Sequence, residues 1–405
     1  MGLTATGAVY GITTYGTEYY GASPTLPATF RWGVEVDWDG DGLFDGSNEA
    51  DRFLQIQCSR GRKNFLQPNG QGFYPLSVGT CHITLDNSDG RYDAWNTTSP
   101  LYPNVTYGKD VRVRVVDVAT NTTYPFFYGV ISDIVPSGYG ANAIVKITAE
   151  DGLRYLRNIY LSNGVNFLSR TIYSIYVSST GGSNMLYGAS KWLTRWGDNI
   201  DTNGTDVIPI ASAPIDTYAI DSLTGLAESY LGYFFVGANG NACYVDRKTI
   251  PASPANYDHD ELLKDLTILQ PQVNYRNRVT VYWSTYYTST DVYTTKYPSA
   301  STEFDAVSAP RDFIYTSNYI QSTATADTIS GKVAALMSAL NKTPIIKLVN
   351  RPDKQFPELF NYVTVSVPSL GISTEGFRVG GIEHYGTPQS INTTLYLEPV
   401  FSTST

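Results

Sequence analysis

GTCHITLDNSDGRYDAWNTTSPLYPNVTYGKDVRVRV, residues Gly79 to Val115, decides the fold class of this chain. Cys81, Ile83 and Leu85 fall on one face of its first part and His82 and Thr84 on the other, the period of two of a half-buried strand. Asn87 to Gly90 turns the chain, and a loop from Asp93 to Gly108 follows. From Asp110 to Asp117, Val111, Val113 and Val115 alternate with Arg112 and Arg114, so a second strand is expected there. The two arginines share a face, which reads as a solvated or partner-facing surface. Strands and sharp turns without a catalytic constellation describe a building block.

Upstream, RWGVEVDWDGDGLFDGSN (31–48) reads as a strand in which Trp32, Val34 and Val36 alternate with Gly33, Glu35 and Asp37, entering a carboxylate-rich loop. Asp37, Asp39, Asp41, Gly42 and Asp45 match positions 1, 3, 5, 6 and 9 of a calcium loop, because a hard cation needs oxygens from alternate residues and a glycine at the bend. Position 12 is Asn48, not the bidentate Glu, and the entering element is a strand, so a tight hydrated loop without metal fits the same residues. Residues 1–27, rich in Gly, Thr and Tyr and almost uncharged, cannot build a core; they are expected to form an extended arm that orders only against a neighbouring subunit, with a disordered tail as the alternative.

Downstream, PFFYGVISDIVPSG (125–138) and NAIVKITAE (142–150) each predict a strand, the second nearly continuous in apolar residues and so expected to be covered on both faces. Asp151 is placed to cap a short helix carrying Leu153, Leu156 and Arg157. Leu223, Leu226, Ala227, Tyr230 and Leu231 recur at helical spacing over 216–231, with Gly232 as the stop. The turn at Asn239 to Asn241 makes a hairpin of the next two strands. A second helix is expected at Asp327 to Leu340, among strands at Arg278–Trp283, Ile345–Val349, Tyr362–Val367, Phe377–Glu383 and Thr393–Pro399. The fold class is therefore mainly β with minor α. Four parts are expected: the arm (1–27), a first β-barrel-like domain (28–158), an inserted α+β module (159–274) and a second β-barrel-like domain (275–405).

Composition agrees: aromatic residues are 13% and charged residues 16%, with 35 Gly and 21 Pro, the usage of turn-dense sheet. The net charge of −9 argues against a nonspecific phosphate-binding surface, so no nucleic-acid binding is expected. No stretch is long and apolar enough to span a bilayer and no signal pattern opens the chain, which predicts a soluble protein made in the cytoplasm. Cys58, Cys81 and Cys243 follow no metal spacing; they read as buried free thiols, with a Cys58–Cys81 cross-strand pair as the alternative.

The strand ending in LDNSDGR, the SPLYP that follows and the GKDVRV after it resemble the first domain of tailed-bacteriophage tail-tip or baseplate hub proteins, also called minor tail proteins. The likeness continues in DSLTGLAESYLGYFFVGANGNACYVDR (Asp221 to Arg247), NRVTV (Asn277 to Val281), FRVGGIEHYG (Phe377 to Gly386) and NTTLYLEP (Asn392 to Pro399), in order over residues 28 to 400. The resemblance implies two tail-tube-like β-barrel domains, a homotrimer that closes the tail tube, and a place at the virion tail tip. Its implied partners are distal tail or tail-tube proteins, the tape-measure protein and receptor-binding tail proteins. A hexameric distal tail ring and a carbohydrate-binding tail or cell-surface module are the alternatives.

Enzymatic chemistry finds little support. His82, His259 and His384 belong to no metal or triad motif, and phosphate-binding glycine loops are absent. His259 lies among Asp258, Asp260 and Glu261, which an acid-rich first helical turn explains. Trp192 and Trp196 read as core in place of a sugar platform. No enzyme, no resident cofactor beyond a candidate calcium ion at Asp37, Asp39, Asp41 and Asp45, and no catalytic residue are expected.

Overall fold

A computed structural model of the chain describes residues 30–44, 48–65, 73, 75–161, 170–171, 198–200, 207–208, 217–229, 231–246, 255–258, 265–269, 276–285, 295–298, 302–303, 311–317, 319–320, 323–339, 343–368 and 372–400. The arm, Asp45, Trp192, Trp196 and His259 lie outside them. The principal strands are β1 (Phe30–Val36), β2 (Phe53–Gly61), β3 (Ser77–Asp86), β4 (Asp110–Asp117), β5 (Thr123–Ser137), β6 (Ile144–Glu150), β7 (Gly232–Val236) and β8 (Ala242–Asp246). They continue with β9 (Ala255–Asp258), β10 (Asp265–Leu269), β11 (Arg278–Thr285), β12 (Asp312–Thr316), β13 (Thr343–Val349), β14 (Tyr362–Val367), β15 (Ile372–Thr387) and β16 (Ser390–Pro399). The helices are α1 (Gly152–Arg157), α2 (Ala219–Ser229), α3 (Thr323–Ala339) and α4 (Pro352–Gln355).

Two separate barrels are expected from the sequence; the described strands form one open 12-stranded sheet in the order β1-β4-β5-β6-β3-β2-β15-β16-β13-β10, with β14 on β15 and β9 on β14. The join is the antiparallel pair of β2 and β15, from Ile56–Gly386 to Gly61–Gly381. At its Gly61–Gly381 end the two backbones approach closely. Gly61 has φ +80°, and a Cβ on it or on Gly381 would fall onto the backbone of Gly380 or Arg62. Each half still packs its own apolar cluster. All six strands β1–β6 feed one, including Trp32, Ile56, Ile83, Val113, Phe127 and Ile147. Strands β13–β16 and the β7–β8 hairpin share the other, with Ile346, Val363, Phe377, Leu395, Tyr233 and Phe235.

The helix α2 lays Leu223, Leu226 and Ala227 on Leu153 and Leu156 of α1 and on Phe234 and Tyr244 of the hairpin. Asp151 caps α1 as expected, accepting the Leu153 N–H at 3.0 Å. The stop of α2 differs from the sequence reading. Leu231 takes the left-handed φ of +58°, and Gly232 opens β7 because a Cβ there would strike the Tyr244 ring. β6 also departs from expectation: Val145, Ile147 and Ala149 are buried while Lys146 is exposed, so it is covered on one face. The pairings of β9 with β14 and of β10 with β13 cross the boundary at residue 274. β11 and β12 pair with each other in a separate sheet, against which α3 packs Ile329 and Val333.

Candidate functional site

Three connections leave the same end of the first half: residues 37–49 after β1, 87–108 between β3 and β4, and 138–143 between β5 and β6. Backbone bonds tie them together, Asp37 N–H to Asp110 O at 2.9 Å, Asn87 N–H to Ala143 O at 2.9 Å and Gly108 N–H to Ile131 O at 2.8 Å. Buried Glu49 is the shared acceptor of the first two. Trp38 Nε1 at 3.1 Å and Arg91 Nη2 at 3.2 Å donate to its Oε1, and the Tyr92 hydroxyl donates to its Oε2 at 2.6 Å. Burial, together with the Glu49 carboxylate, pushes the Tyr92 phenol well above its usual pKa. On the surface Arg52 clamps Asp89 with two bonds of 2.9 and 2.7 Å, which hold that carboxyl below the usual range.

Asp37, Asp39 and Asp41 do converge, with one carboxylate oxygen of each lying within 4.8 Å of the others. Asp37 is buried and its oxygens accept the N–H groups of Gly40 at 2.8 Å and Gly42 at 2.9 Å. Burial opposes its charge, yet those bonds, with further ones from Asp39 and Asp41, hold its carboxyl below the usual range. The residues fit a hard cation in part. Asn48, at the twelfth position, spends its side-chain oxygen on Val34 N–H and Ala50 N–H. The Lys109 ammonium already sits over Gly40, where a Cβ would approach it to 3.2 Å.

The seam of the sheet carries buried ion pairs that sequence reasoning missed. Arg60 donates to Glu358 at 2.8 Å, and Glu358 also accepts the Ala238 N–H at 2.7 Å, joining β2 to the hairpin loop. Arg62 reaches Glu398 of β16 through Nε at 3.0 Å and Nη2 at 2.8 Å, both side chains 3% exposed. Tyr233 donates its hydroxyl to the same carboxylate and stacks on Phe360 with centroids 3.7 Å apart. The arginine pair on β4 is likewise committed: Arg112 Nε donates to Glu35 at 2.8 Å and Arg114 to its other oxygen. The strand register sets Glu35 directly opposite Arg112.

The histidines and cysteines are structural among the described residues. His384 is buried, bonds Thr393 Oγ1 at 2.8 Å and lies 4.5 Å from the Phe126 ring. Burial, with Arg60 nearby, presses its pKa down to about 3. His82 is exposed and bonds Thr148 Oγ1 at 3.1 Å. Cys58, Cys81 and Cys243 are buried, with Cys58 opposite Cys81 in the ladder. A cavity of about 400 Å³ at the seam is lined by Arg60, Lys63, Ser77, Arg157, Glu383 and Tyr396. Lys63 pairs with Glu383, Tyr396 donates to Glu383 at 2.6 Å and Ser77 donates to Gly61 O at 2.7 Å, whereas the buried Arg60 Nε has no hydrogen-bond partner. No helix among the described residues is long and apolar enough to cross a membrane.

The fold is that of bacteriophage tail proteins. The tail protein of Neisseria meningitidis superposes with a TM-score of 0.59 at 12% identity, covering 91% of this chain and 96% of that one. The 43 kDa tail protein of prophage MuSo2 from Shewanella oneidensis gives 0.61 at 10% identity, over 91% and 98%. The prophage tail protein gp18 of Listeria monocytogenes gives 0.53 at 10%, over 90% and 94%. No family model and no curated protein matches the sequence.

Proposed function

We propose that this chain is a structural hub of a bacteriophage tail tip or baseplate, assembling as a homotrimer that closes the tail tube and joins it to distal tail or tail-tube proteins, the tape-measure protein and receptor-binding proteins. One observation carries the reading: nearly the whole chain superposes on nearly the whole of two tail proteins, one of them from a prophage, at TM-scores near 0.6. The work is then done by interfaces, in keeping with buried polar groups that are committed to one another. In this reading the two halves act as tail-tube-like domains, 28–158 and 275–405, flanking the module at 159–274. Two such domains per chain let three copies meet a sixfold tube.

The mass of the assembled ring tests the proposal. Three copies per ring agree with it, and six copies make the chain a distal tail ring. We further propose that Asp37, Asp39 and Asp41 take a hard cation such as calcium, with Asp45 completing the set. Addition of calcium is expected to raise the melting temperature, and Asp39→Asn with Asp41→Asn is expected to abolish that rise. An unchanged melting temperature would leave Lys109 as the loop's own counter-charge.

A further inference from the structure

The three most exposed large apolar side chains among the described residues are Tyr139 at 90%, Trp95 at 88% and Tyr107 at 77% exposure, and all three stand on the loop end organised by Glu49. Leu43, at 58%, joins them. The loop that holds Trp95 is stiff. Successive turns close from Gly90 N–H to Asn87 O, Asp93 to Gly90, Asn96 to Asp93, Ser99 to Asn96 and Tyr102 to Ser99, at 2.9 to 3.3 Å. Side chains reinforce them: Asn96 Nδ2 donates to Gly90 O at 2.9 Å and Ser99 Oγ to Arg91 O at 2.6 Å. Tyr92 and Val105 anchor the loop in the core.

A side chain this exposed on so rigid a base is a knob. Sugar platforms offer one flat face level with the surface; a projecting indole gains most by entering a pocket, where a rigid aromatic is the commonest anchor of a protein interface. The surround is acidic, with Asp39, Asp41, Asp51 and Asp89 exposed. Cations there are half-buried: Arg52 is bound to Asp89, Arg91 to Glu49, and Lys109 covers Gly40.

We propose that this rim is a docking surface for another protein of the particle, one that offers an apolar pocket for Trp95 flanked by Lys and Arg. Charge complementarity selects that occupant, since a basic pocket edge both steers towards the acidic rim and pairs with it. The inference rests on the tail reading.

The test installs the photo-crosslinker p-benzoylphenylalanine in place of Trp95 in the full chain within assembled particles, with mass spectrometry of the adducts. The expected result is a crosslink to a Lys/Arg-rich face of a different particle protein. Its yield should fall several-fold when salt is raised from about 0.05 to about 0.5 M before irradiation, and tenfold or more with Tyr107→Ala and Tyr139→Ala. These side chains bear no core contact, so the fold is retained. Adducts to glycan or to a second copy of the chain, or no adduct in particles that contain it, overturn the inference and leave the tail reading intact. Absence of the chain from particles overturns both.

Discussion

Glu49 shows how one carboxylate sets a surface. With Trp38, Arg91 and Tyr92 all donating to it, Glu49→Ala leaves three donors short of a partner and is expected to cost about 3 kcal/mol in urea unfolding. Arg62→Ala strands the buried Glu398 and is expected to cost about 3 to 5 kcal/mol by the same measurement. Two buried groups contribute to the pH response in opposite senses. Burial raises the Asp151 pKa to about 7, against bonds from Gly79 and Leu153 and the charge of Arg60, all of which lower it. Unfolded Asp151 ionises at lower pH than the folded form, so its contribution is fully present below pH 3.8 and is lost as pH rises towards 7. His384, pressed to about 3, works in the opposite sense. Its unfolded form gains a proton first, so stability is lost as pH falls from 6.5 towards 3. Denaturant titrations from pH 3 to 8 should show Asp151→Asn flattening the first slope and His384→Gln the second.

At the scale of elements, the legible part of the chain was whatever a single strand or helix announces by its own spacing. Cys81, Ile83 and Leu85, or Val111, Val113 and Val115, alternate because one face of each strand is buried, and Leu223, Leu226 and Ala227 repeat because α2 has one buried stripe. Partners were not legible. Arg62 meets a carboxylate 336 positions away, and no local pattern in GRKNF announces it. The Glu49 knot was hidden for the same reason, since Trp38 lies 11 positions and Tyr92 43 positions from the carboxylate they share. The seam was half-visible as Gly380 and Gly381 within a strand, a pattern that marks close backbone approach. Gly381→Ala is expected to cost at least about 2 kcal/mol, and Gly61→Ala more, since its φ of +80° adds strain to the clash. Calorimetry of each variant measures both.

Over the whole molecule, the β2–β15 ladder makes the two halves one sheet, and Trp32 of the first half donates to Thr387 O of the second at 2.9 Å. Unfolding is expected to be shared: tryptophan emission and far-ultraviolet dichroism should lose signal at one denaturant concentration, whereas independent barrels would give two. The same ladder has a consequence for biosynthesis. β2 (Phe53–Gly61) leaves the ribosome long before β15 (Ile372–Thr387), so a nascent chain carries the outer edge of β2, with its unpaired amides and carbonyls, until β15 emerges. Newly made copies are therefore expected to need chaperone shelter until β15 arrives, and a stop codon before Ile372 is expected to release chains whose bare edge recruits other strands into aggregates, which a solubility assay of the truncated chain measures.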